Sequence, residues 1–134
     1  MAEPSDQDLL QLADSIRSNA YAPHSGFKVG AALVAANEQG ETQVFTGVNI
    51  ENDSYPAGMC AERVAIGSAV TAGFQSVHVI AVAADYEDYL APCGMCRQVI
   101  YQFGEECRVV MRDAEGHIRS IGIDQLLPMG FHLS

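Results

Sequence analysis

From Val77 to Ala84 the chain runs Val-His-Val-Ile-Ala-Val-Ala-Ala, apolar at every position but one. A strand with one wet face alternates apolar and polar residues, whereas a strand covered on both faces reads as an unbroken apolar run. This segment therefore calls for layers of structure above and below it. The flanking sequence supplies helices. Upstream, Ser5-Asp6-Gln7-Asp8 has the form of a capping box, and Leu9, Leu12, Ala13, Ile16 and Ala20 follow at helical spacing. Tyr21 to Gly26 reads as a loop. Lys28 to Ala36 and Gln43 to Val48 read as a hairpin about the turn Asn37 to Gly40. Asn49 to Met59 is polar and irregular. A helix is predicted from about Cys60 to Ala72, stopped by Gly73. Beyond the apolar strand come a loop from Asp85 to Pro92 and a helix from about Gly94 to Phe103. Short strands follow near Cys107 to Met111 and His117 to Ile121, and Asp124 is a candidate cap for a last short helix. The order α-β-β-α-β-α-β-β-α implies an α/β layered sheet.

The 134 residues suit one domain, 1–134, with a core of its own, and neither a repeat nor a linker interrupts them. Net charge bears on partners. Seventeen acidic residues face seven Lys and Arg, a balance of −10, and the basic residues are scattered. Phosphate contacts dominate non-specific nucleic-acid binding and need a basic footprint. Nucleic acid and anionic membrane are thus not expected partners. No apolar run approaches the roughly 20 residues that span a bilayer. The acidic stretch Met1 to Asp8 lacks the basic and apolar regions of a secretory signal. A cytoplasmic protein is the expectation, and there thiols stay reduced. The four cysteines then read as metal ligands, catalytic groups or core residues.

Cys60-Ala61-Glu62 and Pro92-Cys93-Gly94-Met95-Cys96 carry the chemistry. Two thiolates in C-x-x-C spacing can share one ion. Three sulfurs do not close a tetrahedral structural zinc site. Three protein ligands with a fourth position open is the catalytic arrangement, and water held there becomes acidic near neutral pH. Both motifs fall at predicted helix N-termini, where the dipole and free N–H groups favour thiolate. Glu62, two residues past a ligand, can stand beside the ion without binding it, as a general base and acid requires. A ligand two residues before a non-ligating Glu, followed by P-C-x-x-C, is the layout of zinc deaminases. Other readings exist. A redox C-x-x-C needs neither Cys60 nor Glu62. A closed site would take Cys107 as fourth ligand, yet Cys107 opens a strand like a core residue. His24, His78, His117 and His132 follow no ligand spacing. Three thiolates around Zn²⁺ leave one net negative charge, so Arg63 and Arg97, each directly after a motif, are candidates to hydrogen-bond sulfur and draw charge away. The bland reading of each is a solvated helix arginine.

With these motifs in view, the sequence resembles the homotetrameric cytidine deaminase family from about Tyr21 to Phe131. The resemblance is carried by Tyr21-Ala-Pro-His-Ser-Gly-Phe-Lys-Val-Gly-Ala-Ala-Leu33, Thr46-Gly-Val-Asn-Ile-Glu-Asn52, Cys60-Ala-Glu-Arg63, Pro92-Cys-Gly-Met-Cys-Arg-Gln98 and Leu126-Leu-Pro128. It implies a three-layer α/β/α fold on a central mixed five-stranded sheet, one Zn²⁺ per subunit and a homotetramer. It also implies that Phe27 packs on the pyrimidine ring, that Asn49 and Glu51 bond the ribose hydroxyls, and that the Ala61 N–H and Ala91 carbonyl contact the base. Tyr55 and Phe131 match positions that reach toward a neighbouring subunit's site. Read without the resemblance, Phe27 is a core aromatic and Asn49 and Glu51 are turn residues. His24 stands where tyrosine is usual, Ala91 where Ser or Thr is frequent, Met95 where alanine is usual, and the tail Phe131-His-Leu-Ser lacks a frequent Gly-Pro. These departures bear on substrate breadth.

The implied reaction is hydrolytic deamination of cytidine and deoxycytidine in pyrimidine salvage: zinc-activated water attacks C4 while Glu62 shuttles protons to N3 and to the departing ammonia. The rivals are a deaminase for a nucleotide or for a modified cytosine nucleoside of the blasticidin-S type, and a non-catalytic zinc module. A polynucleotide editor is disfavoured by charge.

Overall fold

The computed structural model describes residues 3–133. Its elements are helix α1 (Asp6–Ile16), strands β1 (Val29–Ala36) and β2 (Thr42–Val48), helix α2 (Ala61–Thr71), strand β3 (Ser76–Ala84), helix α3 (Gly94–Phe103), strands β4 (Arg108–Arg112) and β5 (Ile118–Gly122), and helix α4 (Ile123–Leu126). The strands form one sheet in the order β2-β1-β3-β4-β5. Three of the four pairings are antiparallel; β3 and β4 run parallel, joined through α3. The sheet is thus mixed and five-stranded, as the resemblance implies.

Every residue of β1 is buried, and so is β3 from Val77 onward apart from His78. Alternate side chains divide between two cores. Ala32, Val34, Val79, Ala81, Ala83 and Val110 meet Leu9, Leu10 and Ala13 of α1 on one face. Ala31, Leu33, Ile80, Val82, Val109 and Met111 meet α2, α3 and α4 on the other. The three-layer arrangement follows. Small residues let the layers close up: a Cβ on Gly30 of β1 would sit 1.9 Å from the Ala13 carbonyl oxygen of α1.

Local chemistry sets the helix ends. Ser5 caps α1, its Oγ accepting from the Asp8 N–H at 3.1 Å, and Asp6 and Asp8 lie at the positive end of the dipole. Gly73, at φ +93°, ends α2 in the left-handed conformation, and the Phe74 N–H returns to the Ala69 carbonyl. Asp124 does not cap α4. Gly122 holds the cap position without a side-chain bond, leaving Asp124 in the first turn.

The topology chooses where a site can form. Antiparallel pairing sets Val29 opposite Ala84 and Gly30 opposite Val48. The entry to β1, the exit from β2 and the exit from β3 therefore share one end of the sheet. The 49–59 segment, expected to be irregular, is pinned there: Ile50 and Met59 exchange N–H···O=C bonds at 2.9 Å, and Tyr21 takes a bond from Glu51 and gives one to Asn49.

Candidate active site

At that sheet end Cys60 is the N-cap of α2 and Cys93 the N-cap of α3, both in extended backbone, with Cys96 buried in the first turn of α3. Two helix starts thus aim at one point. The Cys60 and Cys93 sulfurs are 3.8 Å apart, and all three sulfurs lie within 4.8 Å of one another. A tetrahedral zinc with bonds of about 2.3 Å spaces its sulfurs by about 3.8 Å. The residues present fit that ion. Charge agrees, since three thiolates this close repel strongly unless a cation lies among them. Hydrogen bonding from Cys96, with help from Arg63 and Cys93, holds the Cys60 thiol down to about 5, while the same contact with Cys60 and burial push Cys96 up. Cys107 stands apart from the cluster, packed in the core at the start of β4 with its thiol pushed up to about 12 by burial. A closed four-cysteine site is not what this fold builds.

Glu62 is 5% exposed. Burial pushes its carboxyl up to about 7, and the charge of Cys60 adds to the rise; its own backbone N–H and Arg63 act the other way. The two arginines part company. Arg63 Nη2 reaches the Cys60 sulfur at 3.7 Å and the Gly58 carbonyl at 3.4 Å. Arg97 instead donates from Nε to the Pro92 carbonyl at 2.8 Å and from Nη1 to the Leu126 carbonyl at 2.9 Å. It braces the turn before Cys93 against α4, and its hydrogen bonds go to carbonyls, not to sulfur as the motif position suggests. The C-x-x-C-R spacing cannot show this, because Leu126 is distant in sequence.

A cavity of about 410 Å³ opens above the cluster. Cys60, Ala61, Glu62, Arg63, Ala91 and Cys93 line it. Phe27, Asn49, Glu51 and Tyr55 line it too; of the residues chosen from sequence, Cys96, Arg97 and Phe131 do not. Asn49 and Glu51 already serve their own loop. Asn49 Oδ1 accepts from the Val29 N–H and its Nδ2 donates to the Phe27 carbonyl, both at 2.8 Å. Glu51 Oε1 accepts from the His24 and Ser25 N–H groups at 2.8 and 3.1 Å, and its Oε2 from the Ser25 hydroxyl at 2.5 Å. That hydroxyl, with the two N–H groups, lowers the Glu51 carboxyl below the usual range. Tyr55 is 75% exposed and meets His24 edge-on at 5.3 Å. Phe131 is 59% exposed and outside the cavity; its carbonyl accepts from Gln98 Nε2 at 3.3 Å. Ser25, Val82 and Leu90 also line the cavity and were not singled out from sequence. Ser25 lies inside a quoted motif. Val82 and Leu90 carry no signal apart from neighbouring segments the sheet brings together. A larger cavity of about 590 Å³ lies at the other end of β3, lined by Ser76, His78 and Gln102 among others, away from the sulfurs.

Residues 3–112 match the family model described as the cytidine and deoxycytidylate deaminase zinc-binding region. The chain belongs to this family. It is similar to a cytidine deaminase of Sporosarcina psychrophila, 40% identical over 93% of this chain and 90% of the relative. One of Mycoplasma genitalium is 37% identical over 94% and 95%. A crystal structure of cytidine deaminase from Burkholderia pseudomallei superposes with a TM-score of 0.86 at 41% identity, covering 96% of this chain and all of that one. The family and the sulfur cluster together make this a zinc-dependent deaminase fold. No helix among the described residues is long and apolar enough to cross a membrane.

Proposed function

We propose that the chain works as one zinc-dependent nucleoside deaminase domain, hydrolysing cytidine and deoxycytidine to uridine and deoxyuridine with release of ammonia. One observation carries the reading: a buried carboxyl and two of three convergent cysteines line one cavity together with an aromatic ring and two polar side chains. Cys60, Cys93 and Cys96 would hold zinc, which when bound would supply the Lewis acidity that activates a water. Arg63 draws negative charge from the Cys60 sulfur. Glu62 receives the proton of the attacking water and delivers it to N3, which makes C4 electrophilic. Once oxygen has bonded to C4, Glu62 takes the second proton from the new C4 hydroxyl and passes it to the amino group, so that C4=O forms as the C4–N bond breaks and ammonia leaves.

Phe27 packs on the ring, the Ala61 N–H and Ala91 carbonyl meet the base edge, and the remaining hydrogen-bonding capacity of Asn49 and Glu51 meets the sugar hydroxyls. The free nucleoside is preferred to its phosphate because the only cationic side chain on the cavity wall, Arg63, is committed to sulfur. We further propose a homotetramer with shared sites and a cytoplasmic role in pyrimidine salvage. The large apolar side chains Tyr55, Met129, Phe131 and Leu133, left uncovered by their own chain, support the assembly. The acidic balance supports the absence of a nucleic-acid partner.

Ultraviolet-monitored deamination of cytidine by wild type beside Glu62→Ala tests the reading. Wild type converts cytidine; the variant keeps its fold and zinc and loses nearly all turnover. Substantial activity in Glu62→Ala would overturn the proton assignment, and zinc-loaded wild type inert toward cytidine would overturn the substrate.

A further inference from the structure

Glu51 and Phe27 stand on the cavity wall, but a third side chain decides where they stand. The Ser25 hydroxyl donates to Glu51 Oε2 at 2.5 Å and accepts from the Phe27 N–H at 3.0 Å. Gly26, in the left-handed region at φ +68°, makes the sharp turn that brings residues 25 and 27 onto one oxygen. The Glu51 carboxylate therefore takes three hydrogen bonds from a two-residue stretch, two from N–H groups and one from Ser25 Oγ. A carboxylate offers about four acceptor positions, which leaves Glu51 room for about one further donor. The backbone N–H bonds all fall on Oε1. Among the described residues only Ser25 restrains Oε2, and so it fixes the rotation of the carboxylate plane.

We propose that Ser25 is a positioning residue for sugar recognition: it orients the Glu51 carboxylate so that its remaining acceptor position faces a hydroxyl of the bound nucleoside. This rests on the reading of the cavity as a cytosine nucleoside site with Glu51 at the sugar. The hydrogen bonds of Ser25 go to Glu51 and Phe27, not to Glu62 or the cysteines. Phe27 keeps the Asn49 bond to its carbonyl and a half-buried ring, so loss of the hydroxyl is felt at Glu51 rather than at the base.

The experiment compares cytidine with 2′,3′-dideoxycytidine, which keeps the base and lacks both sugar hydroxyls. Wild type prefers cytidine. Ser25→Ala raises the KM for cytidine roughly tenfold, the scale of one charge-assisted hydrogen bond, and leaves kcat within about twofold. Its kcat/KM for the dideoxynucleoside stays within about twofold of wild type. Ser25→Thr, which keeps the hydroxyl on an exposed position, restores the cytidine KM. In a Glu51→Ala background Ser25→Ala changes the preference no further, because the serine acts through that carboxylate. If Ser25→Ala lowers kcat/KM for both substrates by the same factor, the serine merely holds the loop and the proposal is wrong. It is equally wrong if Ser25→Ala matches wild type on both. If wild type itself fails to separate the two nucleosides, the sugar assignment of Glu51 fails first and the role of Ser25 goes with it.

Discussion

Gly47, next to last in β2, is a sharp test of how the sheet seats the site. A Cβ built there would lie 2.4 Å from the Ala65 nitrogen, 2.5 Å from the Ala61 carbonyl oxygen and 3.0 Å from the Ala65 Cα. All three are backbone atoms of the first turns of α2, so no side chain can rotate out of the way. Ordinary contact distances of about 3.5 Å require α2 to retreat by on the order of 1 Å. Ala61 follows the ligand Cys60 and precedes Glu62, so the retreat carries both away from Cys93 and Cys96 on α3. Two losses are expected from Gly47→Ala. Overpacking costs roughly 1–3 kcal/mol, seen as a melting temperature lowered by roughly 5 °C or more. Misplacing reacting groups by about 1 Å costs on the order of 10²-fold in turnover, and bound zinc per chain falls as the 3.8 Å sulfur spacing opens. Gly67→Ala is the control. It lies on the exposed side of the same helix with nothing within 4 Å of its Cβ, and a mid-helix alanine gains about 0.5–1 kcal/mol over glycine. Thermal unfolding, zinc analysis and cytidine turnover on the pair decide the matter. Gly47→Ala with wild-type melting temperature, zinc content and rate would refute the idea that β2 sets the position of Glu62.

Two further outcomes follow from the site and the fold. Stripping zinc with a chelator abolishes turnover and exposes three thiols to a titrating reagent while Cys107, shut in the core, stays slow; protection of all four cysteines in the loaded protein and release of all four together would instead indicate a closed four-cysteine site. Asp14 is held below the usual carboxylate range, first by the Arg17 hydrogen bond at 2.7 Å and then by Arg112. A folded-state value below the unfolded value of about 3.9 contributes stability above that pH and loses it as pH falls through the folded value. With Asp14 44% exposed the gain is below about 1 kcal/mol. Wild type should therefore surpass Asp14→Asn in melting temperature at pH 6 and lose that margin toward pH 2; a margin that grows on acidification would contradict the pairing.

How much of this was legible beforehand varies with the range of the contact that decides it. Local rules placed the elements well: α3 occupies Gly94–Phe103 as expected, Ser5 caps α1 and Gly73 ends α2. Strand ends drifted by a residue, with β1 beginning at Val29 rather than Lys28 and β4 at Arg108 rather than Cys107. The sulfur cluster was legible because both motifs sit at helix starts, a purely local property, and needed the fold only to bring two starts together. What resisted reading depends on segments far apart in the chain. Gly47 looks like any small strand residue until α2 is laid across it. Arg97 matches a ligand-adjacent position, but the Leu126 carbonyl, contributed by another helix, captures it.

Asn49 and Glu51 make the strongest case for reading a site as part of its fold. As turn residues they should bond local backbone; as substrate residues they should face the cavity. Both line the cavity while bonding local backbone, so the proposed role and the structural one are compatible. Asn49 bonds both the carbonyl of Phe27 and the N–H of Val29, and Glu51 gathers the His24–Ser25 turn. Each side chain is rigid because it is spent on the loop, and a side chain fixed before substrate arrives loses little conformational entropy on binding. The same bonds that make these residues look structural would pre-organise them for the sugar recognition proposed for them. Removing either one should therefore harm the loop and the affinity together, whereas removing the Ser25 hydroxyl, which breaks its bonds to Glu51 Oε2 and from the Phe27 N–H but leaves the backbone bonds of Glu51 Oε1 and Asn49 in place, should separate the two effects.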